Sequence, residues 1–233
     1  MKTVILSAGR GERLSPLTYG LPKPLITIHG TPLIEYILRA FMDAGLKEFI
    51  IVTGYKGSVL RNHLRRGILG AEISFVNNRD YSGGNATSLL CAREALAGEE
   101  WFFIAMSDHI IERSLVEAAL RGFQGEPLLC VDRAPRYLRD IREATKVLVD
   151  ENGYVRDIGK ELGFWNGVDT GVFILNRTIF DLMAEPRTPS NLSDCMRRLI
   201  ARSSLKACDV SGLFWLDVDT WSDLEYARKV MGD

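Results

Sequence analysis

The alternation of short apolar runs with segments of helical periodicity constrains the fold of this chain more than any other feature. Runs of strand length rich in Val, Ile, Leu and Phe alternate with segments whose apolar residues recur at helical spacing. This order is typical of βαβ units on a parallel sheet, so the sequence predicts an α/β fold. Strands are predicted at residues 3–7, 49–53, 72–76, 101–106, 128–132 and 171–175, with one more ending near residue 219.

The first predicted helix, at residues 32–44, has the clearest start and end signals. Thr31 precedes it as a predicted N-cap, Pro32 takes the first helical position and Gly45 lies just past the end. The 233 residues suit one large α/β domain, residues 1–233, because they are too few for two full domains and a linker. Further helices are predicted to begin near residues 85 and 112, to span residues 178–183 and 192–202, and to begin at residue 222.

Residues 146–159 break this alternation. Two short runs of strand character, Lys-Val-Leu-Val and Tyr-Val-Arg-Asp-Ile-Gly, flank the turn residues Asp-Glu-Asn-Gly. The segment therefore predicts a small β-hairpin flap instead of another strand and helix.

Composition excludes several classes of partner. The 29 Lys and Arg residues balance 30 Asp and Glu residues, which leaves a formal charge of -1 and no electrostatic excess for nucleic acid or an anionic membrane. No apolar run approaches the roughly 20 residues of a membrane span, so no membrane contact is expected from this chain itself. The cysteines, Cys91, Cys130, Cys195 and Cys208, form no Cys-x-x-Cys pair, which favours the reducing cytoplasm.

A glycine loop follows the first predicted strand, within residues 7–25. Open α/β sheets bind ligands at the carboxyl ends of their strands, and a loop of small residues there offers backbone N–H groups to phosphates. Gly9 and Gly11 match the start of a dinucleotide-binding motif, but Leu14 stands where its third glycine belongs, and no Gly-Lys-Ser/Thr follows. Both common nucleotide-binding motifs fail, and a nicotinamide oxidoreductase becomes a remote alternative.

Cationic side chains accompany this loop. Arg10 and Arg13 lie within it, and Lys23 stands between Pro22 and Pro24, whose fixed dihedral angles restrict where the lysine points. A rigidly held cation beside a phosphate-binding loop favours triphosphate chemistry. The alternative interpretation is a tight turn followed by a solvated lysine.

Two aspartates are candidates for binding magnesium. Asp108 follows one predicted strand and Asp219 ends another, so their carboxylates are expected at the same edge of the sheet. Magnesium needs only one or two carboxylates when substrate phosphates and water complete its coordination. From the spacing alone, Asp108 as a helix N-terminal residue and Asp217 or Asp219 as a helix cap before Trp221 are equally good interpretations.

The segment from the glycine loop through Arg13-Leu14 to Pro-Lys-Pro-Leu at residues 22–25 resembles the signature of the sugar-phosphate nucleotidyltransferase superfamily. The resemblance extends over almost the whole chain. It implies a Rossmann-like mixed, mostly parallel sheet flanked by helices, with the hairpin on the acceptor side. Glu12 departs from the family, which usually has threonine there, and a carboxylate beside phosphates needs a neighbouring cation. The resemblance assigns the triphosphate loop to Ala8, Gly9 and Gly11, phosphate contacts to Arg13 and Lys23, and magnesium to Asp108 and Asp219, with Asp217 as a rival to Asp219.

Residues 77–94 combine amide and hydroxyl side chains with glycines immediately before a predicted helix. The segment resembles the base-recognition loop of the family, particularly of its cytidylyltransferase branch. Asn85, Thr87 and Ser88 are the predicted nucleotide-binding residues. Asn85 alternatively serves only to cap the helix.

The acceptor site is predicted from a second group of motifs. Lys160 and the turn Asp169-Thr-Gly171 are similar to the family's second lysine and its hydroxyl-binding turn, although a solvated lysine is the alternative. Together with Ser-Asp-His-Ile at residues 107–110, these motifs are most similar to the branch that transfers CMP from CTP to inositol-1-phosphate. Members of that branch often precede a membrane-bound synthase domain, so a fused or separate synthase is an expected partner.

The expected chemistry requires no general base. The nucleophile is a phosphate oxygen that is largely anionic near neutral pH, because its second pKa is about 6. His109 therefore needs no acid-base role, and magnesium, Arg13 and Lys23 are expected to stabilise the leaving pyrophosphate.

The rival hypotheses are phosphocholine or a sugar-1-phosphate as the acceptor, another nucleotide as the donor, and a noncatalytic nucleotide sensor. Phosphocholine requires an aromatic cage, for which Phe164 and Trp165 beside the acceptor turn are candidates, and a packed lid is an equally good interpretation of this pair.

Overall fold

The computed structural model describes residues 1–17, 20–184, 189, 191–202 and 204–232. Thr18 and Tyr19, in the predicted segment 7–25, lie outside the described residues. The described strands are β1 (Thr3–Ser7), β2 (Thr27–Ile28), β3 (Thr31–Pro32), β4 (Glu48–Thr53), β5 (Glu72–Asn77), β6 (Trp101–Met106), β7 (His109–Ile111), β8 (Leu128–Asp132), β9 (Lys146–Val149), β10 (Val155–Gly159), β11 (Gly167–Asn176), β12 (Lys206–Asp209) and β13 (Trp215–Asp217). The described α-helices are α1 (Leu33–Asp43), α2 (Gly57–Leu64), α3 (Asn85–Cys91), α4 (Arg113–Gly122), α5 (Thr178–Met183), α6 (Leu192–Arg202) and α7 (Trp221–Val230).

The main sheet has nine described strands, of which seven follow the order β10-β9-β11-β6-β1-β4-β5. β8 pairs with β11, and β12 pairs with β8. β1 lies between β4 and β6 and is parallel to both, whereas β11 is antiparallel to β6, β8 and β9. Among these strands β10 and β11 run against the common direction, which confirms the predicted mixed, mostly parallel sheet flanked by helices.

Alternate residues of β1 enter two hydrophobic clusters on opposite faces of the sheet. Val4 and Leu6 pack with residues of α3, α5 and α6, while Ile5 packs with residues of α1, α2 and α4. On α1, Phe41 meets Phe103 of β6 edge to face, with ring centroids 5.2 Å apart. Each such fully buried side chain stabilises the fold by about 1.5–3 kcal/mol, so the clusters hold the strand ends of the site on a rigid base.

The predicted start of α1 is wrong in detail. Thr31 is not its N-cap: Thr31 and Pro32 form β3, and the helix begins at Leu33 with no side-chain cap. The N–H of Leu33 instead donates to the carbonyl of Ile26 at 2.9 Å, so the preceding turn supplies the partner that a cap would give. Gly45 follows the helix with a φ of +90°, as the end signal predicted.

The predicted hairpin is the antiparallel pair β9 and β10. Val147, Val149, Val155 and Ile158 of the hairpin are buried in the core, and β10 packs on α6, so the hairpin is part of the main body. Not predicted were α2, β12, β7 and the pairing of β7 with β13. β13 itself lies in the run predicted as a strand ending near residue 219 and ends two residues earlier, at Asp217. None of the described helices is long and apolar enough to cross a membrane.

Candidate active site

A cavity of about 690 Å³ opens at the carboxyl ends of β1 and β6. The loop after β1, the turn before α3 and the residues after β6 form its walls. Of the predicted site residues, Ala8, Gly9, Gly11, Arg13, Lys23, Asn85, Ser88, Asp108 and Asp219 line this cavity.

Gly11 has a geometric reason to be glycine. Its φ is +61°, and a Cβ at this position would lie 2.7 Å from Cβ of Lys23. The stem of Lys23 therefore crosses directly over the Gly11 backbone, and a side chain there would displace it. Leu14, which breaks the dinucleotide motif, is buried in a third hydrophobic cluster and anchors the loop.

Lys23 is the centre of the site's charge arrangement. Only 7% of the residue is exposed, and its Nζ lies 2.7 Å from Oδ2 of Asp108 and 2.5 Å from Oδ1 of Asp219. Burial by itself lowers the pKa of Lys23, but the neighbouring carboxylates outweigh it and hold that pKa above its usual value. For Asp108 the two effects have the opposite signs: burial by itself raises its pKa, but the Lys23 ammonium, together with His109, holds that pKa well below its usual value. The ammonium of Lys23 and the carboxylate of Asp108 are therefore charged together at the cavity floor, where Asp219 contacts the same ammonium.

Arg13 extends this arrangement towards the surface. Its guanidinium donates to the second oxygen of Asp219 and lies 3.4 Å from Oε2 of Glu143. Lys160 approaches the same oxygen of Glu143 at 3.7 Å. Glu143 thus contacts both a predicted donor-phosphate cation and the predicted acceptor-phosphate cation.

The β7–β13 ribbon places His109 directly opposite Asp217. Nδ1 of His109 lies 3.0 Å from Oδ1 of Asp108 and 3.8 Å from Oδ1 of Asp217. Burial alone lowers the pKa of His109, but Asp217 and Asp108 raise it to about 9, so the imidazole is positively charged at neutral pH. Burial raises the pKa of Asp217 to about 6.

The helix-cap alternatives for the aspartates are wrong. Thr220 caps α7 through a capping box with Asp223, and Asp108 precedes the strand β7 and not a helix. Asp108 and Asp219 present carboxylate oxygens to one ammonium at the cavity, a donor set that suits a hard divalent cation. A second possible metal-binding group comprises Asp108, His109 and Asp217.

A buried asparagine organises the predicted base-recognition loop. Asn78, 2% exposed, donates to the hydroxyls of Thr87 and Ser88 at 3.1 Å and 3.0 Å. Asn85 is the first residue of α3 and not its cap, which is Gly84. The Asn85 amide oxygen accepts from the N–H of Leu192 at 2.8 Å and ties α3 to the start of α6.

The predicted acceptor turn is a bulge in β11, where its register with β8 shifts between Asp169 and Phe173. The N–H of Gly171 donates to Oδ1 of Asp169 at 2.7 Å, and burial raises the pKa of Asp169 to about 6. Gly171 has a φ of +76°. Among the described residues, Thr87, Lys160, Asp169 and Gly171 line neither this cavity nor the smaller one beside it.

The second cavity, of about 300 Å³, shares Arg13 and Asp219 with the first. Its aromatic lining residues are Tyr137, Trp215 and Tyr226. The aromatic pair that the phosphocholine hypothesis would require as a cage, Phe164 and Trp165, is not part of the described lining of either cavity: Phe164 is 79% exposed, and Trp165 packs against the core.

The sequence interpretation missed several residues of the site. Tyr81 lines the main cavity, and the guanidinium of Arg10 lies 5.6 Å from its ring centroid. Arg10 also pairs with Glu12 at 3.5 Å and supplies the cation that the Glu12 carboxylate requires. Tyr81 was detectable within the polar loop before α3, whereas Glu143 lies in a segment without periodicity.

The chain is similar to nucleotidyl transferases in both sequence and structure. A family model described as nucleotidyl transferase matches residues 2–127. The bifunctional IPC transferase and DIPP synthase of Aquifex aeolicus is 37% identical over 230 residues, which are 98% of this chain and 51% of that protein. The protein of the same name from Rubrobacter xylanophilus is 36% identical and is covered to 51%. The chain therefore spans about half the length of these curated relatives.

A solved structure described as the inositol-1-phosphate CTP transferase from T. maritima superposes with a TM-score of 0.88 at 26% sequence identity. The superposition covers 99% of this chain and 94% of that one. A UDP-glucose pyrophosphorylase at 21% identity has a TM-score of 0.86, which extends the likeness of fold.

Proposed function

This chain belongs to the nucleotidyl transferase family, and from that premise we propose that it transfers CMP from CTP to inositol-1-phosphate, giving CDP-inositol and pyrophosphate. The observation that carries the nucleotidyl-transfer chemistry is Lys23, buried against the glycine loop and bound to Asp108 and Asp219. The choice of CTP and of inositol-1-phosphate is supported by the names of the relatives and of the similar structure.

The proposed reaction is a substitution at the α-phosphorus of CTP. A phosphate oxygen of the acceptor forms a new bond to this phosphorus, and the bond to the bridging oxygen of the β-phosphate breaks. Pyrophosphate leaves with the electron pair of that bond. Arg13 and Lys23 stand at the cavity, where they stabilise the charge that develops on the leaving group.

Asp108 and Asp219 are the proposed ligands of magnesium. Both line the cavity and share the Lys23 ammonium, whereas Asp217 faces the second cavity and pairs with His109 across the ribbon. Bound magnesium would supply charge neutralisation for the phosphates. The remaining contributions come from the chain: the loop after β1 orients the triphosphate, and Lys160, which shares Glu143 with Arg13, contacts the acceptor phosphate. The acceptor role of the Asp169–Gly171 turn stays a prediction from the sequence, because among the described residues this turn lines neither cavity.

The proposed product requires a consumer. Because the bifunctional relatives combine a transferase with a DIPP synthase and this chain matches about half of their length, we expect a synthase, fused or separate, as its functional partner. The cytoplasmic location predicted from cysteine usage stays a prediction.

The test is pyrophosphate release by the purified chain with magnesium, each of the four nucleoside triphosphates, and inositol-1-phosphate, phosphocholine or glucose-1-phosphate. Release that requires both CTP and inositol-1-phosphate is expected. Asp108→Asn should abolish it, whereas the control Asp181→Asn, an exposed carboxylate paired with Arg93, should leave it unchanged. Release with another pair of substrates would contradict the proposed specificity, and no release from any pair would contradict the activity.

A further inference from the structure

His109 holds a constrained position beside Asp108. Its Nδ1 lies 3.0 Å from Oδ1 of Asp108, while Lys23 contacts Oδ2 of the same carboxylate at 2.7 Å. Each oxygen therefore has its own nitrogen partner, and the two contacts together fix the direction of the carboxylate.

The His109 ring is itself confined by its neighbours. The indole of Trp215 lies nearly parallel to it, with an interplanar angle of 13° and ring centroids 6.2 Å apart. The Nε2 atom of His109 lies close to Gly171: a Cβ at residue 171 would be only 2.9 Å from it. Glycine at this position therefore leaves the space that the His109 ring occupies. His109 is 13% exposed.

Trp215 is fixed in turn by a buried acid. Its Nε1 donates to Oδ2 of Asp132 at 2.7 Å, and Asp132 is 1% exposed at the end of β8. A continuous series of contacts thus leads from Asp132 through Trp215 and His109 to Asp108. Nothing in the proposed reaction gives His109 or Trp215 a chemical role.

We propose that His109 is a positioning residue for metal binding, which orients the Asp108 carboxylate through Nδ1 while Trp215 and Gly171 hold its ring. The inference rests on the proposed function, because it takes Asp108 as a metal ligand. Groups that hold a ligating side chain by hydrogen bonds typically change metal affinity about 10- to 100-fold when they are lost.

Two substitutions separate the roles of the ring nitrogens. The side-chain amide nitrogen of Asn stands close to the position of histidine Nδ1, whereas that of Gln stands close to Nε2. His109→Asn therefore keeps a donor to Asp108, and His109→Gln removes it. His63→Gln is the matched control, because His63 bonds Glu35 between α2 and α1 and lines neither described cavity.

The experiment is calorimetric titration of Mn²⁺ into the chain saturated with a non-hydrolysable CTP analogue. His109→Gln is expected to weaken Mn²⁺ binding about 10- to 100-fold, and His109→Asn only a few-fold. The Mg²⁺ concentration that gives half-maximal activity should rise in parallel, with little change in kcat at saturating Mg²⁺. His63→Gln should match the wild type in both measurements.

The outcomes separate this inference from the proposed function. A wild-type chain that binds no Mn²⁺ contradicts the proposed metal site. If the wild-type chain binds Mn²⁺ and both His109 variants bind it with the same affinity as the wild type, the role of His109 is overturned and the proposed metal site is not. If His109→Gln does not fold, Trp215→Phe loses the bond to Asp132 but keeps a ring beside His109. It should weaken Mn²⁺ binding several-fold, and unchanged binding would overturn the inference.

Discussion

The ammonium nitrogen of Lys23 lies 2.7 Å from Oδ2 of Asp108, although 85 positions separate the two residues in the chain. Asp219, from the other end of the chain, meets the same nitrogen. The fold brings these groups together because Asp108 follows the end of β6, Asp219 follows the end of β13, and Lys23 lies on the connection between β1 and β2 that lines the same cavity.

Replacing Lys23 by methionine leaves two carboxylates facing one another without their shared cation. Breaking a buried ion pair by removing one partner costs about 3–5 kcal/mol, and partial exposure of the aspartates puts Lys23→Met near the lower end of that range. The rate should fall about 100-fold or more, as for other lost electrostatic donors. Urea denaturation and steady-state kinetics measure the two effects. Lys2→Met, which removes a cation 3.6 Å from Glu99, is the control and should change neither by much.

Gly11→Ala should destabilise the glycine loop by about 1–3 kcal/mol, because Gly11 has a positive φ and its added Cβ would meet the stem of Lys23. Gly9→Ala is the matched comparison, since a Cβ at residue 9 meets nothing within 4 Å. Thermal unfolding should therefore separate the two variants. Equal losses of stability would show that the crossing of Lys23 over Gly11 is not the constraint.

Asp169→Asn tests the buried carboxyl of the β11 bulge through its dependence on pH. Burial raises the pKa of Asp169 to about 6, so between about pH 4 and pH 6 the unfolded chain loses this proton before the folded chain does. The carboxyl therefore costs stability progressively as pH rises through that window. The variant should gain up to about 2 kcal/mol relative to the wild type on going from pH 4 to pH 7.5. A difference in unfolding free energy between the variant and the wild type that stays constant with pH would show that burial does not raise the pKa of Asp169 in the folded chain.

Glu143→Gln tests the exposed carboxylate between Arg13 and Lys160. Its contacts of 3.4 Å and 3.7 Å are exposed, and such pairs contribute about 0–1 kcal/mol, so the stability should hardly change. The substrate phosphates compete with Glu143 for these cations, and the KM for the acceptor should therefore fall or stay equal. A KM that rises severalfold at unchanged stability would instead give Glu143 a direct part in binding.

The parallel part of the sheet is predictable from the sequence because buried parallel strands are continuous apolar runs, and the glycine loop and Asp108 closely follow such runs. Lys23 is marked by the prolines on either side of it, whereas the magnesium-binding role of Asp108 and Asp219 was expected from the family resemblance and not from spacing alone. By contrast, α2 begins after Lys56 in a left-handed conformation, without a side-chain cap, so no start signal marks it.

Contacts between distant segments were beyond the sequence interpretation. The pairing of His109 with Asp217 depends on the β7–β13 ribbon, whose strands are too short to show periodicity. Thr31 and Asn85 have the residue types of helix caps, yet backbone pairing at Thr31 and the bond from Leu192 to Asn85 override that local preference. Both errors arose where tertiary contacts replaced a local hydrogen bond.

The most direct test of the proposed reaction follows the oxygen that joins the two substrates. Inositol-1-phosphate labelled with oxygen-18 in its phosphate is incubated with CTP, magnesium and the chain, and the products are examined by phosphorus NMR. Attack of the acceptor phosphate on CTP predicts an isotope shift on the cytidine-side phosphorus of the diphosphate product, since its bridging oxygen comes from the acceptor, and it predicts unlabelled pyrophosphate. A diphosphate product without that shift, or label in the released pyrophosphate, would contradict attack of the acceptor phosphate on the α-phosphorus.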